Sequence, residues 1–410
     1  MLETMTELSS ITYLDKCLCC SGENLTTVLD LIDQPLANSY VKEQSDTEVF
    51  YPLALNYCND CTHLQLTHAV HPDLLFKNYL YVSGTTQTLR DYFDQFVHTV
   101  TSHMPVTGPY KVLDIACNDG SQLDAFKKYG HQTYGIDPAE NLHQLSSLNH
   151  TVICDYFNES AVARLGADRY DVIIAQNVFA HNTYPDEFLR ICEDRLSNTG
   201  RLFIQTSQAD MVEYGQFDTI YHEHISFFNT RSMGTLANRS GMYLESVFKT
   251  DIHGTSYVFV LSKDPACDNT QLLIDKEAKQ TIDVVKKFVD NAISVVTALK
   301  DELNKYPSSL IVGYGAAAKG NTLLNFGEID LDYIVDDNPL KQGLYTPGRK
   351  IKIVSLDEMI TIAKGRSVVW LPLSWNFFKE IKHRIKDKYH EPTVFIKYFP
   401  KIQVTLDSDE

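Results

Sequence analysis

The sequence predicts an α/β protein in three parts: a central doubly wound parallel sheet, a small metal-stapled module before it, and a second αβ unit after it. Two observations carry the sheets. Short apolar runs alternate with longer polar segments from about residue 111 to 204, and again from 310 to 396, the rhythm of parallel strands joined by helices. A third carries the module: Cys17-Leu-Cys-Cys20 and Cys58-Asn-Asp-Cys61 place a pair of Cys-x2-Cys knuckles near the start. At 410 residues the chain is long for one core, and domains are expected at 10–70, 71–260 and 261–410.

Composition narrows the class. Apolar residues at 44% and charged residues at 22% describe a soluble globular protein. The formal net charge of −17 speaks against a nucleic-acid partner, which requires a basic patch to neutralise phosphates. No apolar run approaches the ~20 residues that cross a bilayer, and the first residues lack the basic and apolar regions of a signal peptide. A cytoplasmic protein with no membrane partner is therefore expected. Of nine cysteines, four lie in the knuckles; Cys19, Cys117, Cys154, Cys192 and Cys267 are scattered singly, as reduced thiols are.

The knuckles come first in the chain. Separated by 37 residues, they supply four thiolates to a borderline-soft cation, so Cys17, Cys20, Cys58 and Cys61 are the expected ligands of a structural Zn2+. Cys19 lies too close to its neighbours for knuckle geometry and is left spare. Residues 50–57 read as a strand leading into the second knuckle. A closed site of this kind holds a fold together, so the chemistry is expected elsewhere.

A helix is predicted at 86–104, with Leu89, Tyr92, Phe93 and Phe96 at the spacing of one face. Central strands are expected at 111–115, 132–136, 170–174 and 200–204. Residues 268–306 contain neither Gly nor Pro, and Ile282, Val285, Phe288, Ile293 and Val296 predict one long amphipathic helix there. The last unit opens on Leu310-Ile-Val-Gly-Tyr-Gly315, with further strands at 332–335, 367–370 and 393–396.

Val112-Leu-Asp-Ile-Ala-Cys-Asn-Asp-Gly120 is a strand ending in a tight turn, where the backbone can approach a ligand at the carboxyl edge of the sheet. Asp137 ends the next strand, 17 residues after Gly120, where an open sheet of this type presents a carboxylate to ribose hydroxyls. The turn lacks G-x-G-x-x-G. That disfavours a dinucleotide pyrophosphate and suits a ligand bearing an ammonium and a sulfonium centre. Asp114 to Gly120 together with Asp137 resemble the first two motifs of class I S-adenosylmethionine (SAM)-dependent methyltransferases, whose Rossmann-like sheet the central domain is then expected to share. The resemblance implies that Asp114 and Gly120 lie beside the methionine portion, Asp137 at the ribose and Asp155 near the adenine, with Asn118 also a donor contact and Gln176 and Asn177 lining the cleft.

Phe217-Asp-Thr-Ile-Tyr-His-Glu-His-Ile-Ser-Phe-Phe228 gathers Tyr221, His222, Glu223 and His224 into consecutive positions. A histidine with a carboxylate and a phenol beside it can remove a proton and hydrogen-bond a developing oxyanion. The spacing is not that of a helix-face zinc site. His181 and His253 are further candidates. The knuckles, the methyltransferase motifs, Tyr-x-Glu-His, Gly313-Tyr-Gly-Ala-Ala-Ala-Lys-Gly-Asn-Thr-Leu-Leu-Asn-Phe326, Asp336-Asp-Asn-Pro-Leu-Lys-Gln-Gly343 and Tyr345-Thr-Pro-Gly348 are together similar to the nucleotide-sugar C-methyltransferases, over nearly the whole chain.

Those enzymes methylate carbon 3 of 4-keto-deoxy sugars on a nucleoside diphosphate, here a dTDP- or GDP-linked one. The likeness implies His224 as the base, Tyr221 and Glu223 assisting with His181 in reserve, and Tyr81 and Ser83 closing over the donor. His253, Gly254, Tyr314, Lys319, Asn321, Asp336 and Lys341 become candidate sugar-nucleotide contacts. Gly313-Tyr-Gly315 followed by Lys319 reads as a phosphate-cradling turn, as the start of a dinucleotide fingerprint, or as a purely structural turn. Trp375 and Asn376 resemble a family segment, and Trp375 equally suits a core. This chain departs from the family in having His222 where Asp is common, and His253-Gly-Thr where His-Gly-Gly with a following Arg is common. An O- or N-methyltransferase, an oxidoreductase on the C-terminal G-x-G and a non-catalytic zinc-bearing module are the competing readings.

Overall fold

The structure is a computed structural model that describes residues 10–76, 82–85, 87–166, 169–207 and 211–406. The chain forms two compact units: Met1–Thr26, Asn56–Ala209 and Ile225–Gln280 make the first, and Thr27–Leu55, Asp210–His224 and Thr281–Glu410 the second. Residues 27–55 thus belong with the C-terminal part of the chain.

The first unit is built on a seven-stranded sheet in the order Tyr243–Thr250, Ser256–Ser262, Leu196–Thr206, Tyr170–Gln176, Lys111–Ile115, Gln132–Asp137, Thr151–Cys154. Ser256–Ser262 runs antiparallel to both neighbours, and the other pairings are parallel. Alternation sorts each strand onto two cores. Val172 and Ile174 pack with Phe96, Val97 and Val100 of the helix Gln87–His103, while Ile173 and Ala175 face Phe179, Phe188 and Leu189. Lys111–Ile115 lies where the strand order reverses, so a crevice forms beyond its carboxyl end. Beside this sheet, Ile11–Tyr13 pairs antiparallel with His68–Val70, and Leu64–Leu66 with Ser226–Phe227.

The second unit is built on a six-stranded sheet in the order Ile353–Val354, Tyr333–Val335, Leu310–Tyr314, Val368–Pro372, Thr393–Lys397, Gln403–Leu406, all parallel except the last pair. Val312, Tyr314, Trp370 and Phe395 form its core with Met359 and Ile385. This is the second αβ sheet expected at the C-terminus.

The helix expected over 268–306 is interrupted. Thr270–Ile274 is a short helix, and the long one runs only over Ile282–Leu303, capped by the Thr281 side chain, which accepts from the Val284 amide. Tertiary bonds draw the intervening residues out of helical form: Glu277 accepts from the Tyr257 hydroxyl at 2.6 Å, and Gln280 gives its side-chain amide to the Thr62 carbonyl at 3.0 Å. Its buried face is Val285, Phe288, Ala292, Val295, Val296 and Leu299. Ile293 falls off that stripe and is 52% exposed. Among the described residues no helix is long and apolar enough to cross a membrane.

Candidate active site

In the first unit the strand Lys111–Ile115 ends in a turn whose Ala116, Asn118 and Gly120 all have positive φ, at 62°, 52° and 85°. Gly120 suits its place because φ is left-handed there and a Cβ would meet Ser146 Cα at 3.1 Å. The turn is tied to the next strand: Ala116 N donates to the Ile136 carbonyl at 2.7 Å and Asn118 N to Asp137 Oδ2 at 2.8 Å, while Ala139 N donates to Asp137 Oδ1 at 2.8 Å. A cavity of about 680 Å³ opens on this edge, lined by Ser83, Asp114, Asn118, Asp137, Gln176, Asn177 and His181 among others.

The electrostatics fit a cationic guest. Asp114 and Asp137 are buried, and burial first, then neighbouring carboxylates, raises Asp114 well above the usual range. Asp137 is raised too, by burial, with the Ala139 and Asn118 amides opposing. No lysine or arginine is among the described lining residues. A sulfonium and an ammonium placed there would relieve carboxylates that are otherwise costly to keep charged. Asn177 Oδ1 is buried without a hydrogen-bond partner among the described residues, leaving an acceptor for a bound group. His181 stacks on Phe76, centroids 5.5 Å apart, and burial lowers its pKa to about 4, so it is neutral in the cavity wall.

Gly120 and Asp155 are not lining residues. Asp155 instead pairs with Arg164 and accepts from its own neighbour's amide, Tyr156 N, at 2.8 Å; Tyr156 and Phe157 line the cavity in its stead. Tyr81 lies outside the described residues. Asp119, in the motif itself, was passed over: its carboxylate accepts from Gly84 N at 2.8 Å while Asn118 Oδ1 accepts from Ser83 N at 2.9 Å, fastening residues 83–84 to the turn. Tyr92 and Gln205, which bond each other behind Gln176, carry no local signal beyond a helix face and a strand end.

The cysteine module holds the expected metal geometry. Cys17, Cys20, Cys58 and Cys61 bring their sulfurs within 4.8 Å of one another, with Cys17–Cys61 at 3.5 Å and Cys20–Cys58 at 3.6 Å. Zn–S bonds of ~2.3 Å in a tetrahedron imply S···S near ~3.8 Å, so the four thiolates fit zinc. Each knuckle folds alike: Ser21 N returns to the Cys17 carbonyl and Thr62 N to that of Cys58, with φ of 60° and 63° at Ser21 and Thr62. Cys19 is fully buried and its thiol is pushed well up, by burial first, so it remains protonated beside Cys17 and outside the ligand set.

In the second unit the segment 217–224 is held rigidly. His224 Nδ1 lies 2.7 Å from the Thr219 carbonyl, and its Nε2 lies 3.0 Å from the Tyr221 hydroxyl. A carbonyl only accepts, so Nδ1 carries the hydrogen and Nε2 the lone pair, to which Tyr221 donates. Glu223, 4% exposed, accepts from Asn38 Nδ2 at 2.5 Å. His222 donates Nε2–H to the Tyr51 carbonyl at 3.2 Å, and burial holds its pKa down to about 4. It is committed to the backbone.

The C-terminal candidates have internal partners. Ala316 N, which a phosphate-cradling turn would offer, donates to Asp336 Oδ2 at 2.7 Å, and Lys341 lies 3.7 Å from the same carboxylate. Tyr314 packs in the core and gives its hydroxyl to Asp337 at 3.0 Å. Asn321 donates to the Ala37 carbonyl at 2.7 Å. Lys319 sits 4.9 Å above the Trp375 ring, and Trp375 gives its indole N–H to Asp218 at 2.8 Å. An anion at this turn would meet the Asp336 carboxylate already in place. His253 and Gly254 belong to the first unit, in the 3-10 turn Ile252–Gly254; the His253 side chain lies outside the described residues. Asn38, Asp218 and Tyr398, which sequence reasoning missed, become partners only through contacts far along the chain.

Comparison with known proteins covers nearly the whole chain. Family models match residues 17–76 as a zinc binding domain, 81–247 as a methyltransferase domain and 251–400 as a C-methyltransferase C-terminal domain. The C-methyltransferase NovU of Streptomyces niveus is 26% identical over 95% of this chain and 97% of its own length. A ubiquinone biosynthesis O-methyltransferase of Rhodopseudomonas palustris (strain BisA53) is 30% identical over only 23% of this chain and 39% of its own. Among solved structures, the PH0226 protein of Pyrococcus horikoshii OT3 aligns over 47% of this chain and 98% of its own with 15% identity and a TM-score of 0.36.

Proposed function

We propose that this chain, which belongs to the SAM-dependent C-methyltransferases carrying a zinc-binding domain, methylates carbon 3 of a 4-keto-deoxy sugar linked to a nucleoside diphosphate, with His224 as the base. The observation that carries this reading is the fixed tautomer of His224, with Nδ1 on the Thr219 carbonyl and Nε2 facing the Tyr221 hydroxyl. When bound, the donor supplies a methyl group already activated by its sulfonium, so the protein's task is to make and aim a carbon nucleophile.

A C–H bond yields its proton to a side chain only where an adjacent ketone accepts the charge, which is why a 4-keto sugar suits this site. His224 Nε2 takes the proton from the carbon beside the ketone. As it does so, the Tyr221 hydroxyl no longer has a lone pair on Nε2 to serve and turns its hydrogen to the enolate oxygen. Glu223, held by Asn38, is the neighbouring acid that assists. Asp114 and Asp137 would hold the donor's cationic and ribose portions. His181, neutral and stacked on Phe76, shapes the cavity wall.

The O-methyltransferase reading draws on a relative that matches only 23% of the chain, whereas the C-methyltransferase C-terminal domain spans 251–400. The test is incubation with methyl-labelled SAM and thymidine- or guanosine-diphosphate-linked 4-keto-6-deoxy sugars. Label is expected on carbon; label on oxygen or nitrogen removes the C-methylation of sugars. Without donor, solvent deuterium should enter next to the ketone. His224→Gln should slow both reactions by about 10²–10⁴-fold with donor binding intact.

A further inference from the structure

Asp218 has no role in the steps above, yet it occupies the turn that supplies the Thr219 carbonyl. Phe217–Thr219 is a single 3-10 turn with every residue buried. The Phe217 ring meets those of Phe326 and Phe399 edge-on, at 5.8 and 5.9 Å, and the Ile220 carbonyl accepts from Thr322 Oγ1 at 3.2 Å. Between these clamps the Asp218 carboxylate is wholly enclosed. Its Oδ2 accepts from Trp375 Nε1 at 2.8 Å, and the Tyr398 hydroxyl shares its proton between Oδ2 at 3.2 Å and the Leu373 carbonyl at 2.9 Å. Oδ1 has no hydrogen-bond partner among the described residues. Burial raises the Asp218 pKa to about 6, against the opposing charge of Lys319 and the donors from Trp375 and Tyr398.

An enclosed, under-bonded carboxylate weakens a fold unless its geometry is needed. The need is visible one residue on. The Thr219 carbonyl is the acceptor for His224 Nδ1 at 2.7 Å, and its direction is set by the turn that Asp218 anchors. We propose that Asp218 is a positioning residue for His224: through Trp375 and Tyr398 it fixes the turn so that the Thr219 carbonyl holds the imidazole with hydrogen on Nδ1 and the lone pair on Nε2. The role rests on the reading of His224 as the base, though its first consequence, the tautomer, can be seen without any reaction.

Nitrogen-15 NMR of the full chain with labelled histidine reads that tautomer directly. In the parent protein His224 is expected to show the Nδ1–H form. Asp218→Asn and, separately, Trp375→Phe should mix the two tautomers and lower kcat for methyl transfer roughly 10- to 100-fold, with the KM for the donor unchanged. A merely structural residue would change the unfolding midpoint without moving the His224 signals. If both variants fold and keep the parent tautomer, the positioning role is overturned. If His224→Gln keeps full turnover, the base assignment falls instead, whatever the tautomer in the Asp218 variants.

Discussion

Two turns of one construction occur in the two units, one after Lys111–Ile115 and one after Leu310–Tyr314, and they differ in what occupies them. Each lends an early amide to a carbonyl of the next strand, Ala116 N to Ile136 O and Gly315 N to Val335 O, both at 2.7 Å. Each lends a later amide to an aspartate ending that strand, Asn118 to Asp137 at 2.8 Å and Ala316 to Asp336 at 2.7 Å. Around Gly315 the chain answers its own charges: Lys341 Nζ and the Tyr40 hydroxyl both reach the Ala316 carbonyl, at 2.7 and 2.5 Å, and Lys341 also neighbours Asp336. Around Asn118 the carboxylates of Asp114, Asp119 and Asp137 face a cavity whose described lining has no lysine or arginine. The backbone is common to both; the uncompensated charge makes one of them a site.

Removing the two aspartates should separate the turns most. Asp137→Ala is expected to weaken SAM binding roughly 10- to 100-fold, the worth of a hydrogen bond to a charged group. Asp336→Ala should leave that affinity unchanged, and calorimetric titration of both decides; equal losses break the contrast. The next effect runs the other way. Asp336→Ala should cost about 1–3 kcal/mol in urea unfolding, because the amides of Ala316 and Asn338 lose their acceptor. Gly315→Ala follows at about 1–2 kcal/mol, since φ is +93° and a Cβ would lie 2.4 Å from Ser374 Oγ. A thermal midpoint unmoved by it would mean that the turn yields. Lys341→Met is the mildest, about 1 kcal/mol for the 2.7 Å hydrogen bond from its Nζ to the Ala316 carbonyl and the 3.7 Å pairing with Asp336; a larger loss would make the lysine more than a neighbour.

What could be read from sequence was local. The strand Lys111–Ile115, the acid ending Gln132–Asp137 and the paired knuckles each announce themselves through residue type and spacing over a few positions. The polar segment Tyr221-His222-Glu223-His224 stands out too, because its residues are consecutive. The rest depends on partners far along the chain. Nothing near Gly315 tells that Asp336 and Tyr40 will occupy its turn, and nothing in 268–306 tells that Tyr257 and Thr62 will interrupt a helix whose composition permits it. Asp218 looks like any loop acid until Trp375 and Tyr398 close over it. Ile293 obeyed the apolar pattern and still lies exposed, since periodicity names a stripe only to within one helical position.

The chain passes between its units at residues 26/27, 55/56, 209/210, 224/225 and 280/281. During synthesis, therefore, residues 27–55 emerge well before their companions in 281–410. Such long-range closure slows assembly and leaves an unsatisfied segment on the nascent chain until those companions are made. Cutting the gene at the expected domain borders would strand that segment on the wrong fragment, so expression of separate pieces should give insoluble product where the uncut chain gives folded protein.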